Sequence, residues 1–276
     1  MIQDIFPQKL DNHFENLAPE ETSPMICFRE GKLLTRYDET ASHLQFPVRT
    51  DFPEETHTVY LFTAGGTHYF LVTDPEQVPD GYEWQSLRDL QRLKRSTNTE
   101  IFAAFTAFHL WKWYETSRYC GACGNETVFD TVERAKVCPV CGNRIYPRIN
   151  PAVIVGVING DRLLLTKYKT GFGYNALVAG FTEIGETLEE TVQREVMEEV
   201  GLKVKNIRYY KSQPWGIALD ILAGFYCEVD GDDKIRRDDS ELKYAEWVER
   251  EAIELQPTND SLTNEMMRMF REGKIS

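Results

Sequence analysis

One 23-residue stretch, GFTEIGETLEETVQREVMEEVGL from Gly180 to Leu202, contains seven glutamates and a single arginine. Carboxylates at this density repel one another unless positive charge lies among them. Arg194 is placed to pair with Glu190 or Glu198, but one guanidinium cannot neutralise the whole group. A hard divalent cation can, because Mg²⁺ binds a few carboxylate oxygens and keeps positions for water and substrate phosphates. The composition of this stretch therefore predicts a divalent-metal site.

The same stretch predicts the element that would position these carboxylates. Thr187 followed by Glu190 forms a capping box, so a helix is expected to begin at about Leu188, and Gly201 supplies the left-handed residue that ends it. Apolar residues recur every four positions along this helix, which predicts one face buried against a sheet. These apolar residues are Leu188, Val192, Val196 and Val200.

Three glutamates, Glu195, Glu198 and Glu199, project from an adjoining face of the predicted helix. Glu195 and Glu199 are a like-charged pair one turn apart and destabilise the helix unless a cation lies near them. A solvated acidic surface helix would explain the cap, the apolar stripe and the terminal glycine. It would not explain the preceding turn, in which glycines bring the Gly180 backbone and Glu186 beside the same face, so we favour the metal site.

Four of the six cysteines form two pairs with two residues inside each pair and 14 residues between the pairs. A glycine closes each pair, and two such knuckles let four thiolates converge tetrahedrally on one zinc ion. The alternative, two disulfides, requires an oxidising compartment, for which the chain shows no export signal. The predicted structural zinc ligands are Cys120, Cys123, Cys138 and Cys141. The other two cysteines, Cys27 and Cys227, stand in apolar surroundings and are predicted to be buried thiols.

The whole chain has 276 residues, 42% of them hydrophobic, and a net charge of -13. This length and composition predict a soluble, globular protein of more than one domain, and the acidic charge disfavours nonspecific binding to nucleic acid. No apolar run is long enough to span a bilayer and no leader pattern is present, so the expected location is cytoplasmic.

The elements predicted along the chain define three regions. Two strands, Val59 to Phe62 and Tyr69 to Val72, precede a helical stretch from Leu87 to Thr116 that breaks near STNTE. After the cysteines, strands at Val153 to Ile158 and Arg162 to Lys167 flank a hairpin turn. Later apolar runs (DILAGFYCEV and KYAEWVE) predict strands and SLTNEMMRMFREG predicts a closing helix, which gives a mixed α/β (α+β) sheet with helices packed on it. We predict an N-terminal α+β domain over 1–117, a zinc ribbon over 118–146 and a catalytic domain over 147–276.

The acidic stretch resembles the signature of the Nudix hydrolases. That signature places a glycine, then a glutamate after five residues, then after seven more an arginine that opens a run ending in a glycine and an aliphatic residue. All nine fixed positions are met, by Gly180, Glu186, Arg194, Glu195, Val196, Glu198, Glu199, Gly201 and Leu202. The resemblance implies an α/β/α sandwich with a mixed sheet that hydrolyses a nucleoside diphosphate linked to another group.

The four-cysteine ribbon, YPRINP and SQPW narrow this resemblance to the NADH pyrophosphatase subfamily, over roughly Tyr119 to Phe270. Members usually form homodimers and cleave NAD(H) to NMN(H) and AMP, and some also remove an NAD cap from RNA. The resemblance implies Mg²⁺ or Mn²⁺ held by the Ala179 carbonyl, Glu195, Glu199 and Glu241. It implies Glu198 or Glu199 as the base, with Arg194 and Glu186 as further catalytic residues. It implies substrate contacts from Glu133, Tyr146, Phe181, Gln213, Trp215 and Thr263.

Two departures from the subfamily keep alternatives open. The subfamily's proline-rich, aromatic loop is replaced after its first four residues, giving SQPWGIALD over Ser212 to Asp220, and Thr263 stands where members tend to have alanine. The altered loop changes the stiffness and the stacking surface beside the substrate. The alternatives are an enzyme for another dinucleotide (ADP-ribose, a diadenosine polyphosphate or FAD), and a noncatalytic nucleotide sensor or RNA-binding module. The intact signature and the acidic charge disfavour the last two. The first region, which could be a diverged copy of the catalytic fold, is not assigned a function.

Overall fold

The computed structural model describes residues 1–75, 78–93, 95, 97–170 and 173–275. The chain divides into two compact units: Ile2–Arg148 with Gly216–Leu219, and Ile149–Trp215 with Asp220–Ser276 and Met1. The first contains the N-terminal region and the cysteine ribbon, and the second contains the acidic stretch. Among the described residues, no helix combines the length and apolar character needed to cross a membrane.

The first unit is built from short strands and two helices. Its strands are β1 (Leu10–Asp11), β2 (Met25–Ile26), β3 (Phe28–Arg29), β4 (Lys32–Asp38), β5 (His43–Gln45), β6 (Thr58–Ala64), β7 (Thr67–Val72), β8 (Glu83–Ser86), β9 (Val128–Phe129), β10 (Lys136–Val137) and β11 (Arg144–Ile145). Its helices are α1 (Leu87–Leu90) and α2 (Thr99–Thr116). The strands form two four-stranded sheets, β1-β6-β7-β2 and β3-β4-β5 with β8 on β4, and the three-stranded ribbon β11-β10-β9.

The predicted hairpin in this unit is confirmed, since β6 and β7 pair antiparallel around two glycines with positive φ, Gly65 and Gly66. The predicted helical stretch is also found as two helices, α1 and α2. The predicted break begins at Ser96, which lies outside the described residues, as does Lys94. The strands before Thr58 were not predicted, because most are two or three residues long and carry no sustained alternation of apolar and polar residues.

The second unit is a six-stranded mixed sheet with two helices. Its strands are β12 (Asn150–Asn159), β13 (Arg162–Tyr168), β14 (Val178–Phe181), β15 (Val204–Trp215), β16 (Asp220–Val229) and β17 (Leu242–Glu249), and its helices are α3 (Leu188–Val200) and α4 (Leu262–Arg271). The order is β15-β16-β12-β13-β17, with β14 also on β12. The β12–β16 pair is parallel and the others are antiparallel, so the mixed sheet is confirmed.

The two helices of this unit pack on opposite faces of the sheet. Side chains alternate along β12, so Val153, Val155 and Val157 join one apolar core with the buried stripe of α3. Ile154 and Ile158 join a second core with the apolar residues of α4. The α/β/α sandwich implied by the acidic signature is therefore the observed fold.

The end of β15 corrects one prediction. The assignment of SQPW to a loop is wrong, because Ser212–Trp215 forms the last part of β15, paired with Ala223, Leu222, Ile221 and Asp220 of β16. The turn is limited to Gly216–Leu219, where Leu219 has a φ of +60°. Lys, Arg and Tyr are frequent in β15, so its strand pattern is weak and its structure depends on pairing with the apolar β16.

Candidate active site and zinc centre

The cysteine knuckles converge as the spacing predicts. The four Sγ atoms all lie within 4.8 Å of one another, with 3.4 Å between Cys123 and Cys138 and 3.6 Å between Cys120 and Cys141. Four thiolates bound tetrahedrally to zinc at about 2.3 Å lie roughly 3.8 Å apart, so this arrangement needs little change to hold the ion. The two disulfides of the alternative interpretation are not formed, since all four thiols are free.

Backbone turns hold each knuckle in this shape. The Gly124 N–H donates to the Cys120 carbonyl at 2.8 Å, and Gly142 takes the same position in the second knuckle with the same φ of +75°. The Asn125 amide donates to Cys123 Sγ at 3.4 Å, and this hydrogen bond lowers the pKa of the Cys123 thiol to about 6. Zinc binds the thiolate form, so this hydrogen bond favours Cys123 as a zinc ligand.

Removal of one zinc ligand is expected to unfold the ribbon. Cys138→Ser should reduce bound zinc from about one ion per chain to a small fraction and lower the unfolding temperature, because structural zinc contributes roughly 10 kcal/mol or more to domains of this kind. Elemental analysis and thermal unfolding measure both effects. Val140→Ser, at an exposed position in the same knuckle, is the matched control and should retain zinc. Equal zinc content in the two variants would contradict this assignment.

The two lone cysteines, Cys27 and Cys227, are fully buried, as predicted. Burial raises the pKa of each thiol, that of Cys227 to about 12. Neither thiol ionises readily, so both behave as small apolar core residues.

The capping box and the terminal glycine of α3 form as predicted. The Glu190 N–H donates to Thr187 Oγ1 at 3.2 Å and the Thr187 N–H donates to Glu190 Oε2 at 2.8 Å. Gly201 has a φ of +68° and its N–H donates to the Met197 carbonyl. Of the two predicted partners of Arg194, Glu198 is found and Glu190 is not, because the cap occupies the Glu190 carboxylate.

Arg194 instead binds three carboxylates of the signature. Its Nε and Nη2 form a bidentate pair with Glu186 at 2.6 and 2.9 Å, and its Nη1 donates to Glu195 at 2.7 Å and to Glu198 at 3.1 Å. Nη2 also donates to the Phe181 carbonyl at 2.9 Å. Arg194 thus ties α3 to both ends of the glycine turn, which explains why the turn and the helix occur together in the sequence.

Glu186 is a structural partner of this arginine. The Arg194 hydrogen bond, followed by the Glu183 backbone N–H, lowers the pKa of Glu186 to about 2. Its Oε2 also accepts from the Glu183 N–H and from Thr191 Oγ1. Glu186 therefore remains ionised and fully bonded, so its role in the structure is to hold Arg194.

Glu199 is the unusual carboxylate of the site. Its residue exposure is 3%, and its Oε1 accepts weak hydrogen bonds from the Ala179 N–H and the Tyr168 hydroxyl, both at 3.4 Å. Its Oε2 is buried and has no hydrogen-bond partner among the described residues. The pKa of Glu199 is raised to about 8, mainly by burial and also by the charges of Glu195 and Glu241, while the two hydrogen bonds oppose the rise.

Glu195 and Glu241 complete the negative charge around Glu199. The pKa of Glu195 is raised, mainly by burial and also by the charges of Glu198 and Glu241. Arg194 opposes this rise. A buried, unpaired carboxylate oxygen beside two further carboxylates is costly unless a cation or a proton lies there. The donor set therefore fits a hard divalent cation.

The arrangement of these carboxylates is looser than that of the cysteines. Within the described ranges, the four cysteines are the one group of three or more metal-ligating side chains whose ligand atoms all lie within 4.8 Å. The ligand set Ala179, Glu195, Glu199 and Glu241 therefore stays a prediction.

Gly180 makes the close approach of Glu195 possible. A Cβ at this position would lie 2.0 Å from both Cδ and Oε1 of Glu195, far inside van der Waals contact. The first glycine of the signature is therefore required by space, and its role is to leave room for a site carboxylate.

Gly180→Ala is expected to displace the Glu195 carboxylate and reduce turnover by about a hundredfold, the cost of an ångström-scale misplacement. The measurement is kcat, with circular dichroism to verify the fold. Gly173→Ala is the control, since a Cβ there meets no atom within 4 Å. Equal kcat in the two variants would show that Glu195 is not held in position for the chemistry.

Tyr168 is a site residue that the sequence did not indicate. A register shift between Lys167 and Tyr168 in the β13–β17 pair places Tyr168 opposite Leu242, next to Glu241. Its hydroxyl donates to Glu199, and burial followed by the Glu199 charge raises the pKa of Tyr168. The contact depends on strand register, which local patterns do not specify.

The predicted substrate residues of the second unit differ in accessibility. Phe181 is exposed, as expected of a ring that stacks on a base, and Trp215 and Thr263 are half-buried. The Gln213 side chain is fully buried. Its Nε2 donates to the Asp260 carbonyl at 2.8 Å and its Oε1 accepts from the Leu262 N–H at 2.7 Å, so in this structure its amide supports the start of α4.

The remaining predicted substrate residues, Glu133 and Tyr146, lie in the first unit and contact each other. The Tyr146 hydroxyl donates to Glu133 Oε1 at 2.9 Å. The altered turn Gly216–Leu219 belongs to the same unit. There, a Cβ at Gly216 would lie 2.1 Å from the Phe105 carbonyl oxygen, so only glycine leaves the space.

Comparison with protein families identifies the class. Residues 148–270 match the NUDIX domain model, residues 115–146 match the NADH pyrophosphatase zinc ribbon domain, and residues 22–113 match the NADH pyrophosphatase-like rudimentary NUDIX domain. Residues 148–270 therefore form a Nudix domain. The ribbon and the N-terminal region match models of the NADH pyrophosphatase group, and the third match agrees with the prediction that the N-terminal region is a diverged copy of the catalytic fold.

Individual relatives agree with this grouping. The chain is 38% identical over 157 residues to the NAD-capped RNA hydrolase NudC of Photorhabdus laumondii, covering 56% of this chain and 61% of that protein. It is 42% identical over 147 residues to NudC of Shigella flexneri, covering 53% and 57%. The chain thus spans about three fifths of the curated relatives it matches. A NUDIX hydrolase structure from Nitrosomonas europaea aligns with a TM-score of 0.48 and 23% identity, over 56% of this chain and 91% of that one.

Proposed function

We propose that this protein hydrolyses the pyrophosphate bond of NAD(H) to give NMN(H) and AMP, with NAD-capped RNA as a further substrate. The observation that carries the proposal is the buried Oε2 of Glu199, which has no hydrogen-bond partner among the described residues and is affected by the charges of Glu195 and Glu241. The family models and the names of the NudC relatives support the choice of NAD over other dinucleotides.

The proposed ligands of Mg²⁺ or Mn²⁺ are the Ala179 carbonyl and the carboxylates of Glu195, Glu199 and Glu241. When bound, the metal would screen the phosphate charges and lower the pKa of the attacking water. Glu198 or Glu199 accepts the proton of that water. Both are candidates, because Glu198 is exposed and close to Arg194, whereas Glu199 is buried with one oxygen that has no hydrogen-bond partner among the described residues.

The other residues of the chain orient these groups. Arg194, held by Glu186, fixes the directions of Glu195 and Glu198. Tyr168 and the Ala179 N–H hold Glu199. Phe181 and Tyr146 are proposed to stack on the bases, with Glu133, Gln213, Trp215 and Thr263 as further substrate-site residues.

The test is a substrate panel with Mg²⁺ or Mn²⁺: NADH, NAD⁺, ADP-ribose, FAD, a diadenosine polyphosphate and NAD-capped RNA, with products separated by chromatography. The proposal predicts the highest kcat/KM for NADH or NAD-capped RNA and products NMN(H) and AMP or AMP-ended RNA. A higher kcat/KM for ADP-ribose, FAD or the diadenosine compound would show that the enzyme prefers another dinucleotide. The altered Gly216–Leu219 turn would then be the candidate cause of that preference. Absence of turnover with every substrate would favour a nucleotide sensor.

We further propose a cytoplasmic homodimer, which the subfamily resemblance supports. Light scattering on the purified protein tests the dimer directly. A monomer across the micromolar range would remove this part of the proposal without affecting the chemistry.

A further inference from the structure

Four polar residues of the zinc ribbon, Asp130, Glu133, Arg144 and Tyr146, form a connected group that we call the ribbon quartet. Arg144 Nη1 donates to Asp130 Oδ2 at 2.7 Å and to Glu133 Oε1 at 2.6 Å. The Tyr146 hydroxyl donates to the same Glu133 oxygen at 2.9 Å. One guanidinium nitrogen thus holds two carboxylates, and one of these holds the tyrosine.

Asp130 is the partner that holds the Arg144 guanidinium in place. Its Oδ1 accepts from the backbone N–H groups of Val132 at 2.7 Å and Glu133 at 3.1 Å, and its side chain is only 9% exposed. These backbone bonds, followed by Arg144, keep the pKa of Asp130 below its usual value. Arg144 itself lies on β11, opposite Val137, the residue before the zinc ligand Cys138, so the zinc ribbon provides its rigid base.

The outer half of the ribbon quartet faces solvent. Tyr146 is 53% exposed, and the Glu133 side chain is 45% exposed. Both hydrogen bonds to Glu133 end on Oε1, and no described residue donates to its Oε2. An exposed aromatic ring beside an oriented carboxylate oxygen suits a nucleoside, whose base stacks and whose hydroxyl or amine groups donate.

We propose that Arg144 is a positioning residue for substrate recognition, which orients Glu133 and, through it, the ring of Tyr146 toward the nucleotide. This inference rests on the proposed function, in which Glu133 and Tyr146 contact the substrate. Without Arg144, Asp130 and Glu133 repel each other, and the Glu133 side chain turns toward solvent and loses its fixed direction.

The direct test measures the affinity for NADH without added Mg²⁺ or Mn²⁺. The change in NADH fluorescence reports the binding. Arg144→Gln is expected to weaken binding about tenfold, the scale of a lost charge-assisted hydrogen bond. Zinc content and unfolding temperature should stay those of the parent protein. Arg144→Lys should recover most of the affinity, because Asp130 and Glu133 are both held by the single Nη1 atom, whose charge a lysine ammonium restores. Arg118→Gln is the matched control, since among the described residues no hydrogen bond or ion pair of the exposed Arg118 side chain is found.

A double-mutant cycle separates positioning from a general effect on the ribbon. If Arg144 acts through Glu133, the Glu133→Gln and Arg144→Gln double variant should bind NADH no more weakly than Glu133→Gln alone. Additive losses, or parent-like binding by Arg144→Gln, would overturn the proposal.

Two conservative variants keep the proposal testable if Arg144→Gln loses zinc. Arg144→Lys and Tyr146→Phe each leave the ribbon charges in place, so each should retain zinc. Weaker NADH binding by Tyr146→Phe, with most of the affinity kept by Arg144→Lys, would support the proposal, and parent-like binding by Tyr146→Phe would overturn it. A parent protein that binds NADH through the ribbon quartet but does not hydrolyse it would overturn the proposed function and leave this inference standing.

Discussion

Glu199→Gln is expected to lower NADH hydrolysis by at least about a thousandfold, because the site loses a predicted metal ligand and a candidate base in one change. The amide keeps the shape of the side chain, and its oxygen can still accept from Tyr168 and the Ala179 N–H. The loss should therefore appear in kcat and in the metal dependence, with the fold intact.

The same variant is expected to make the metal-free protein more stable at neutral pH. Glu199 has a pKa of about 8 in the folded state and about 4.5 when unfolded, so folding takes up a proton between these values. The contribution of Glu199 to the stability of the parent protein falls as pH rises from 4.5 to 8, whereas Gln has no proton to lose. The gain should reach about 2 to 4 kcal/mol near pH 8 and vanish below pH 4.5. Chemical denaturation across this pH range measures it.

Glu189→Gln is the control for both effects, since it makes the same change at an exposed position on the same helix. It should leave turnover and the pH dependence of stability close to those of the parent. A Glu199→Gln variant that retained more than a tenth of parental turnover, or that was no more stable at pH 8, would contradict the role assigned to this carboxylate.

Arg194→Gln is expected to reduce kcat by about a hundredfold or more and to destabilise the fold. It removes the positive charge shared by Glu186, Glu195 and Glu198, so the three carboxylates repel one another and lose their fixed directions. The pKa of Glu186 should return from about 2 toward its usual value, because Arg194 is the main cause of its depression.

The sign of the pH dependence follows from that shift. A depressed carboxyl pKa contributes stability above pH 4.5 that is lost as pH falls toward 2. The difference in stability between the parent and Arg194→Gln should therefore be largest near neutral pH and shrink in acid. Denaturation at pH 7 and at pH 3 tests this. A constant difference would mean that the Glu186 pair does not carry the effect.

Arg194→Lys provides the matched comparison. It restores a positive charge among the carboxylates but cannot bind Glu186 in two places while reaching Glu195, Glu198 and the Phe181 carbonyl. We expect it to recover part of the stability and little of the activity. Full activity in this variant would show that charge alone, without the guanidinium geometry, is sufficient.

The features that could be predicted from the sequence are those fixed by local patterns. The capping box of Thr187 and Glu190, the αL residue Gly201 and the cysteine knuckles all act within a few residues of each other, and each is found as expected. The strands β12 and β16 could also be predicted, because a strand that is buried on both faces requires a continuous run of apolar residues.

The features that could not be predicted depend on distant contacts. Arg194 pairs with Glu186 eight residues away, and not with Glu190, because the turn before α3 folds back along the helix. Tyr168 reaches Glu199 only through the register of β13 on β17, and Gln213 meets Asp260 only through the packing of α4. No periodicity in the chain specifies these three contacts.

The central claim is that the carboxylates around Glu199 bind the divalent cation used in hydrolysis. The most direct test measures Mn²⁺ binding to the zinc-loaded protein. Electron paramagnetic resonance reports the concentration of Mn²⁺ that stays free. We predict saturable binding by the parent protein, at least about tenfold weaker binding by Glu199→Gln and Glu195→Gln, and parental binding by Glu189→Gln. Equal Mn²⁺ affinity in all four proteins would contradict the claim.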